Sequence, residues 1–249
     1  MIVLKSKQEI ALMRESGRIV AEVLETLRQK VQPGMTTADL DALAYALITK
    51  QKAVPTFKGY RGFPASICAS LNSEVVHGIP SRKRVLREGD IISIDVGATK
   101  NGFVGDGAVT LPVGKVSDVA RRLLETTEGA LYAGIDQARA GRHLEDISGA
   151  VQDYAEERGF SVVREYVGHG IGREMHEEPQ IPNYRQGKRG PLLASGMALA
   201  IEPMVNEGTY EVKVLDDHWT AVTADGRNSA HFEHTVAVTS NGPWVLSRP

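Results

Sequence analysis

Apolar residues recur at alternating three- and four-residue steps from Ile10 through Met13, Val20, Leu24 and Leu27 to Val31, with Gly17 on the same stripe. This is the period of a helix that buries one face. Ser6-Lys7-Gln8-Glu9 precedes the stripe in the form of a capping box, and Pro33-Gly34 closes it. A second helix is expected from Thr36 or Thr37, burying Leu40, Leu43, Leu47 and Ile48. Beyond a loop at 55–64 rich in Pro, Gly and aromatic residues, the period becomes strand-like. An apolar run at 65–71, a His77-Gly78-Ile79-Pro80 turn and a basic segment, Arg82-Lys83-Arg84, read as solvated loop, lead to 89–111. There two β-branched apolar runs flank Lys100-Asn101-Gly102, the pattern of a β-hairpin.

The same order restarts after Pro112. Ser117 opens a helix reaching about Ile135, Gly141 breaks the chain, and Leu144, Ile147, Val151 and Tyr154 mark another amphipathic helix before a strand at 162–167. Setting Gly34 on Gly141, an offset of 107 residues, also brings Asp39 onto Asp146, Leu40 onto Ile147, Gly89 onto Gly196 and Asp95 onto Glu202, while Asp106 meets Lys213. One offset shared by helix, breaker and strand points to a duplication. It predicts an α/β fold of two helix-helix-strand halves, about 1–115 and 116–249. Their strands should unite in one sheet with helices on the outer face and acids on the inner one, within a single domain, 1–249.

Composition narrows the chemistry. With 249 residues, 42% of them hydrophobic, the chain can bury a core without disulfide or metal, and a net charge of -2 gives no general affinity for nucleic acid. Charges are spread evenly through the first twenty residues and no run approaches membrane-spanning length, so neither a signal peptide nor a span is expected and the cytoplasm is the expected location. Cys68, the only cysteine, excludes an internal disulfide and a thiolate zinc cage; in its apolar run it reads as a small buried thiol.

Four acids stand inside apolar, strand-like runs: Asp95 and Asp106 in the hairpin arms, Glu202 before Pro203, and Glu233 in His-Phe-Glu-His-Thr. Any one of them alone would ordinarily be a turn, a cap or a strand-edge charge. Four together demand compensation, because a buried carboxylate is costly without a cation. Of seven histidines, His143 reads as a helix-start residue and His218 as a turn residue. His169, in Gly-His-Gly-Ile-Gly after a strand, and His176, in Met-His-Glu-Glu-Pro, stand where a ligand could approach the backbone. Four carboxylates and one imidazole are too acidic for a structural zinc and too many for one tetrahedral ion. Two divalent ions and a bridging hydroxide leave the set with a charge of about -1. Ions paired roughly 3.5–4 Å apart serve hydrolysis by generating the nucleophile and clamping the carbonyl oxygen.

Ser-Ile-Asp95-Val-Gly, the eleven-residue step to Asp106, Gly-His169-Gly-Ile-Gly, His176-Glu-Glu-Pro-Gln, Glu202-Pro and Glu233-His-Thr carry a resemblance. In their order and spacing the chain resembles the bacterial type I methionine aminopeptidases over essentially its whole length. The resemblance implies the two-fold "pita-bread" fold and two divalent ions, of cobalt, iron(II), manganese or zinc. Asp106 and Glu233 would bridge them, Asp95 would bind one, and His169 and Glu202 would complete the other. His77, His176 and Glu202 are implied in catalysis, and Phe57, Tyr60, Phe63, Cys68, His77, His176 and Trp219 in substrate binding. The implied reaction removes the initiator methionine of peptides and nascent chains when the second residue is small. A monomer in transient contact with the ribosome is expected. Many bacterial members have cysteine, tyrosine, phenylalanine and glutamine where Phe57, Phe63, Met175 and His231 stand here. Two rivals share the fold. A prolidase or Xaa-Pro aminopeptidase usually carries an added N-terminal domain, and a non-catalytic binding module would have lost a ligand, whereas all five are present.

Overall fold

In a computed structural model covering residues 1–249, the first apolar stripe becomes α1 (Lys7–Lys30). Its capping box forms: the Glu9 amide donates to the Ser6 hydroxyl and the Ser6 amide to the Glu9 carboxylate, giving partners to two amides that a helix start leaves orphaned. α2 (Thr37–Lys50) begins with the same device on Thr36 and Asp39. In the second half Ser117 caps α3 (Asp118–Gln137), and α4 (Leu144–Glu156) starts at His143, whose amide donates to the Asp146 carboxylate.

The strands of the first half are β1 (Val54–Pro55), β2 (Ile67–Leu71), β3 (Glu74–Val76), β4 (Ile91–Lys100) and β5 (Phe103–Pro112). β4 and β5 form the expected hairpin; Asn101 and Gly102 take the positive φ values, 52° and 76°, that its tight turn requires. The second half contributes β6 (Ser161–Val162), β7 (Gly168–Gly170), β8 (Glu177–Ile181), β9 (Ala198–Ile201) and β10 (Met204–Asn206). β11 (Val212–Val214), β12 (Ala221–Thr223), β13 (Ser229–His231), β14 (Glu233–Thr239) and β15 (Gly242–Val245) follow. Nine strands make one antiparallel sheet in the order β1-β4-β5-β14-β9-β7-β8, with β2 added beside β4 and β15 beside β14.

The structure departs from the sequence reading in four places. The strands do not all join one sheet: β13-β10-β6 and β11-β12-β3 form two small sheets apart from the main one. The run at 65–71 pairs only from Ile67. The apolar run at 162–167 is strand only at Ser161–Val162, and His169 lies within β7 instead of in a loop after a strand. Arg84 of the basic segment is not merely solvated, since it pairs with Glu74 and donates to the Ile79 carbonyl.

One apolar core crosses both halves. On β4, Ile92, Ile94, Val96 and Ala98 face Ile19, Val20, Val23 and Leu27 of α1, while Leu131 and Ile135 of α3 meet Leu199, Ile201 and Val236 in the same cluster. Strand alternation then turns Ser93 and Asp95 to the opposite, concave face. Each fully buried Leu or Ile of this core contributes about 2 kcal/mol. Leu27→Ala would cost about 2–5 kcal/mol.

The duplication is visible in the hydrogen bonds. The Gly34 amide donates to the Leu86 carbonyl and Leu86 returns a bond to Met35; at the same offset Gly141 donates to Leu193 and Leu193 to Arg142. The isolated bridges Thr36 to Val85 and His143 to Leu192 repeat it again. The echo fails after β10, because the counterpart of β5 is not the segment around Lys213 but β14, reached only after the excursion through β11, β12 and β13. This two-fold arrangement of a curved antiparallel sheet backed by paired helices is the pita-bread fold.

Candidate active site

Ala108 of β5 is in register with Asp95 of β4 on one side and with Glu233 of β14 on the other, so both carboxylates rise from the concave face. Asp106, two residues from Ala108, shares that face. Behind it Gly105 allows a close approach: a Cβ there would lie 2.5 Å from the Gly17 nitrogen, so the α1 backbone packs directly beneath the strand. Thr235 fixes Asp106 from the next strand, its hydroxyl accepting from the Asp106 amide at 3.0 Å and donating to the Asp106 carbonyl at 2.8 Å. His169 is in register with Ala200, and Ala200 with Thr235, which extends the row.

Glu202 follows β9 where Pro203 interrupts the strand and the chain leaves the main sheet for β10. The interruption re-aims its carboxylate, whose Oε1 lies 3.4 Å from His169 Nε2 and Oε2 3.6 Å from His231 Nε2. His169 Nδ1 is 2.9 Å from the Gly170 carbonyl oxygen. That contact assigns the proton to Nδ1, as donor, and leaves Nε2 a lone pair directed at the acids.

Burial pushes all four carboxyls up. For Asp95, Glu202 and Glu233 the negative charge of Asp106 adds to burial, and Asp106 itself is raised to about 7. Without cations the four cannot all be ionised near neutrality. His77 and His169 are pushed down to about 4, first by burial and then by His176. Burial and the neighbouring acids push the Cys68 thiol up, which makes it an inert wall and not a nucleophile.

A divalent cation fits these residues. Donor atoms of Asp106, His169 and Glu233 lie within 4.8 Å of one another. Asp95 Oδ1 and Glu233 Oε1 are buried without a hydrogen-bond partner, and an orphaned buried carboxylate oxygen is the kind of donor a hard cation takes.

Phe57, Tyr60, Phe63, Cys68, His77 and Trp219 wall one cleft of about 200 Å³, with the four acids, His169 and His176 also around it. Every site residue expected from the sequence is thus brought to one place. Trp219 stands edge-on to Phe63, with centroids 5.1 Å apart, and 6.3 Å from His77. The Tyr60 hydroxyl is 2.8 Å from His176 Nδ1, and the His176 ring is 4.3 Å from that of His169. His77 holds a φ of 61°, a left-handed conformation rare outside glycine. Arg61 and Met175 also line the cleft. Sequence reasoning missed Arg61 altogether and had Met175 and His231 only as departures from a family pattern. Arg61 lies in an aperiodic loop, and His231 reaches Glu202 only because β13 and the end of β9 meet in space.

The sequence profile of metallopeptidase family M24 matches residues 11–240. "Methionine aminopeptidase 1" of Bacillus subtilis is 55% identical over 248 residues, 100% of each chain, and "Methionine aminopeptidase" of Clostridium acetobutylicum is 54% identical over 247 residues, 99% of each. Among solved structures, methionine aminopeptidase from Thermotoga maritima superposes with a TM-score of 0.98 at 45% identity over 100% of both chains. The Xaa-Pro dipeptidase from Bacillus anthracis shares the fold at a TM-score of 0.76 and 22% identity, with 62% of its length covered. The chain therefore belongs to metallopeptidase family M24, and within that family it groups with the bacterial methionine aminopeptidases.

Proposed function

We propose that the protein removes the N-terminal methionine of peptides and nascent chains whose second residue is small, using two divalent ions held by Asp95, Asp106, His169, Glu202 and Glu233. Asp106 and Glu233 would serve both ions, Asp95 one, and His169 with Glu202 the other. The observation that carries the reading is the buried convergence of four carboxylates, two of them with an orphaned oxygen, around one imidazole lone pair. Cobalt, iron(II), manganese and zinc all suit this donor set. When bound, the ions supply Lewis-acid polarisation of the scissile carbonyl and activation of water.

The chain's own residues do the rest. Glu202, whose carboxylate is aimed into the cleft beside His169, takes up the proton that the attacking water loses and delivers it to the departing amine. His176, with Nδ1 engaged by Tyr60, offers its other nitrogen to the carbonyl oxygen as negative charge builds there. His77 contacts the scissile amide from the Trp219 side. Phe57, Phe63, Cys68 and Trp219 enclose the methionine side chain, whose unbranched polarizable thioether packs well against ring edges. The chain works as one catalytic domain, 1–249, and as a monomer in the cytoplasm, meeting nascent chains through transient ribosome contact.

The test is hydrolysis by metal-reconstituted protein of Met-Ala-Ser, Met-Lys-Ser and an Ala-Pro peptide. Cleavage of the first alone is expected. Comparable cleavage of the first two, or a preference for Ala-Pro, would sink the reading.

A further inference from the structure

The loop that carries His176 is held by a buried charge from the other end of the chain. Lys5, before α1, has a side chain only 4% exposed, and its Nζ lies 2.5 Å from Glu177 Oε2, on a side chain 15% exposed. A second Nζ hydrogen bond goes to the Val3 carbonyl at 3.0 Å, and the Lys5 amide donates to the Gly196 carbonyl at 2.7 Å, pinning this segment beside β9. The other Glu177 oxygen accepts from the backbone amides of Arg173, at 2.9 Å, and Glu174, at 3.3 Å. Glu177 therefore closes its own loop, 172–177, into a ring with Lys5 at its hub. The chain passes against the pair at Gly172 with no room for a side chain: a Cβ there would stand 2.4 Å from Glu177 Oε1 and 2.6 Å from Lys5 Cε.

Burying an ammonium is costly unless it is paired and hydrogen-bonded, and both conditions are met here. What the pair fixes is His176, the residue before Glu177, whose ring meets Tyr60 on one side and His169 on the other. We infer that Lys5 is a positioning residue for the reaction, acting through Glu177 to hold His176 where it meets the scissile carbonyl. The inference rests on the function proposed above for His176. Lys5 does not itself line the cleft that holds the acids, so its effect falls on turnover and not on metal binding.

The experiment compares Lys5→Met, which keeps the aliphatic stem, with Glu177→Gln, alone and in a His176→Ala background. It uses metal content, steady-state kinetics on Met-Ala-Ser, and amide exchange at Arg173 and Glu174. Each single variant is expected to lower kcat on the order of 10-fold with KM and bound metal little changed. Exchange at the two amides should speed up, and neither change should lower kcat further once His176 is alanine. If Lys5→Met does not fold, Glu177→Gln carries the same readings. Wild-type turnover, loss of metal, unaltered amide exchange, or an undiminished effect on top of His176→Ala would overturn the assignment. A wild-type protein that leaves Met-Ala-Ser uncut would instead overturn the proposed function, while the exchange data still report whether Lys5 anchors the loop.

Discussion

Asp95 and Glu233 are opposite the same residue: each is in register with Ala108, one from β4 and one from β14. Two carboxylates from different halves of the chain are thereby held on one face, a single strand apart, with Asp106 on the strand between them. Like charges so placed repel, and both groups are raised by burial and by Asp106. The arrangement is stable and fully ionised only around cations.

Chelation followed by dialysis should abolish hydrolysis of Met-Ala-Ser, and readdition of a divalent metal should restore it. Asp106→Ala and Glu233→Ala, each removing a ligand proposed to serve both ions, should lower metal content and kcat at least as much as Asp95→Ala. Metal analysis beside kinetics decides this; untreated and chelated protein working at equal rates would refute the dinuclear site.

Metal affinity should climb as pH rises through about 7. An unfolded carboxyl titrates near roughly 4, whereas Asp106 in the metal-free fold is raised to about 7. Between these values the folded state binds more protons, so the stability due to this site falls as pH rises, and a bound cation reverses the trend. Calorimetry in buffers of different ionisation heat should detect protons released on metal binding at pH 6. No release, with affinity flat across this range, would contradict the raised carboxyls.

His176→Ala should cost on the order of 10²-fold in kcat, as the loss of one oxyanion donor does, at wild-type metal content. His169→Ala should lose metal and activity together. Metal lost from the first variant, or both ions kept by the second, would reverse the roles given to the two histidines.

Gly97→Ala probes the methionine pocket. A Cβ at Gly97 would lie 2.5 Å from Phe57 Cε1, so the ring that lines the cleft must shift. KM for Met-Ala-Ser should rise several-fold while metal content holds; an unchanged KM would show that Phe57 does not shape the pocket.

Gly105→Ala probes the helix beneath the acids. Its methyl would press on the Gly17 backbone, and such overpacking costs about 1–3 kcal/mol. For a chain of this size each kcal/mol lowers Tm by roughly 2–4 °C. A variant melting with the wild type would mean that α1 yields without cost.

Local rules carried the sequence reading furthest where structure is local. Ser6 with Glu9, Thr36 with Asp39 and the Asn101-Gly102 turn each depend on neighbours a few residues away, and each forms as the pattern predicts. The four acids stood out because charges inside apolar strands violate a rule that only compensation can satisfy, and His169 stood out only through its flanking glycines. What the pattern hid depends on distant partners. β7 is three residues long and pairs through β9 and β8, so His169 carries no strand period of its own. The pairing of β14 with β5 replaces the repeat partner near Lys213. Lys5 and Glu177 meet across 172 residues, beyond the reach of any periodicity.

The repeated hydrogen bonds of Gly34 with Leu86 and Gly141 with Leu193 bear on how the fold arose. Asp95 and Asp106 belong to one half, and His169, Glu202 and Glu233 to the other, so neither half holds the whole cluster. A polypeptide of half the present length would need a second copy to bring the same donors together. The two halves are joined by the exposed Gly114-Lys115 bend between β5 and α3. Polypeptides divided there should each be inert and regain activity on mixing.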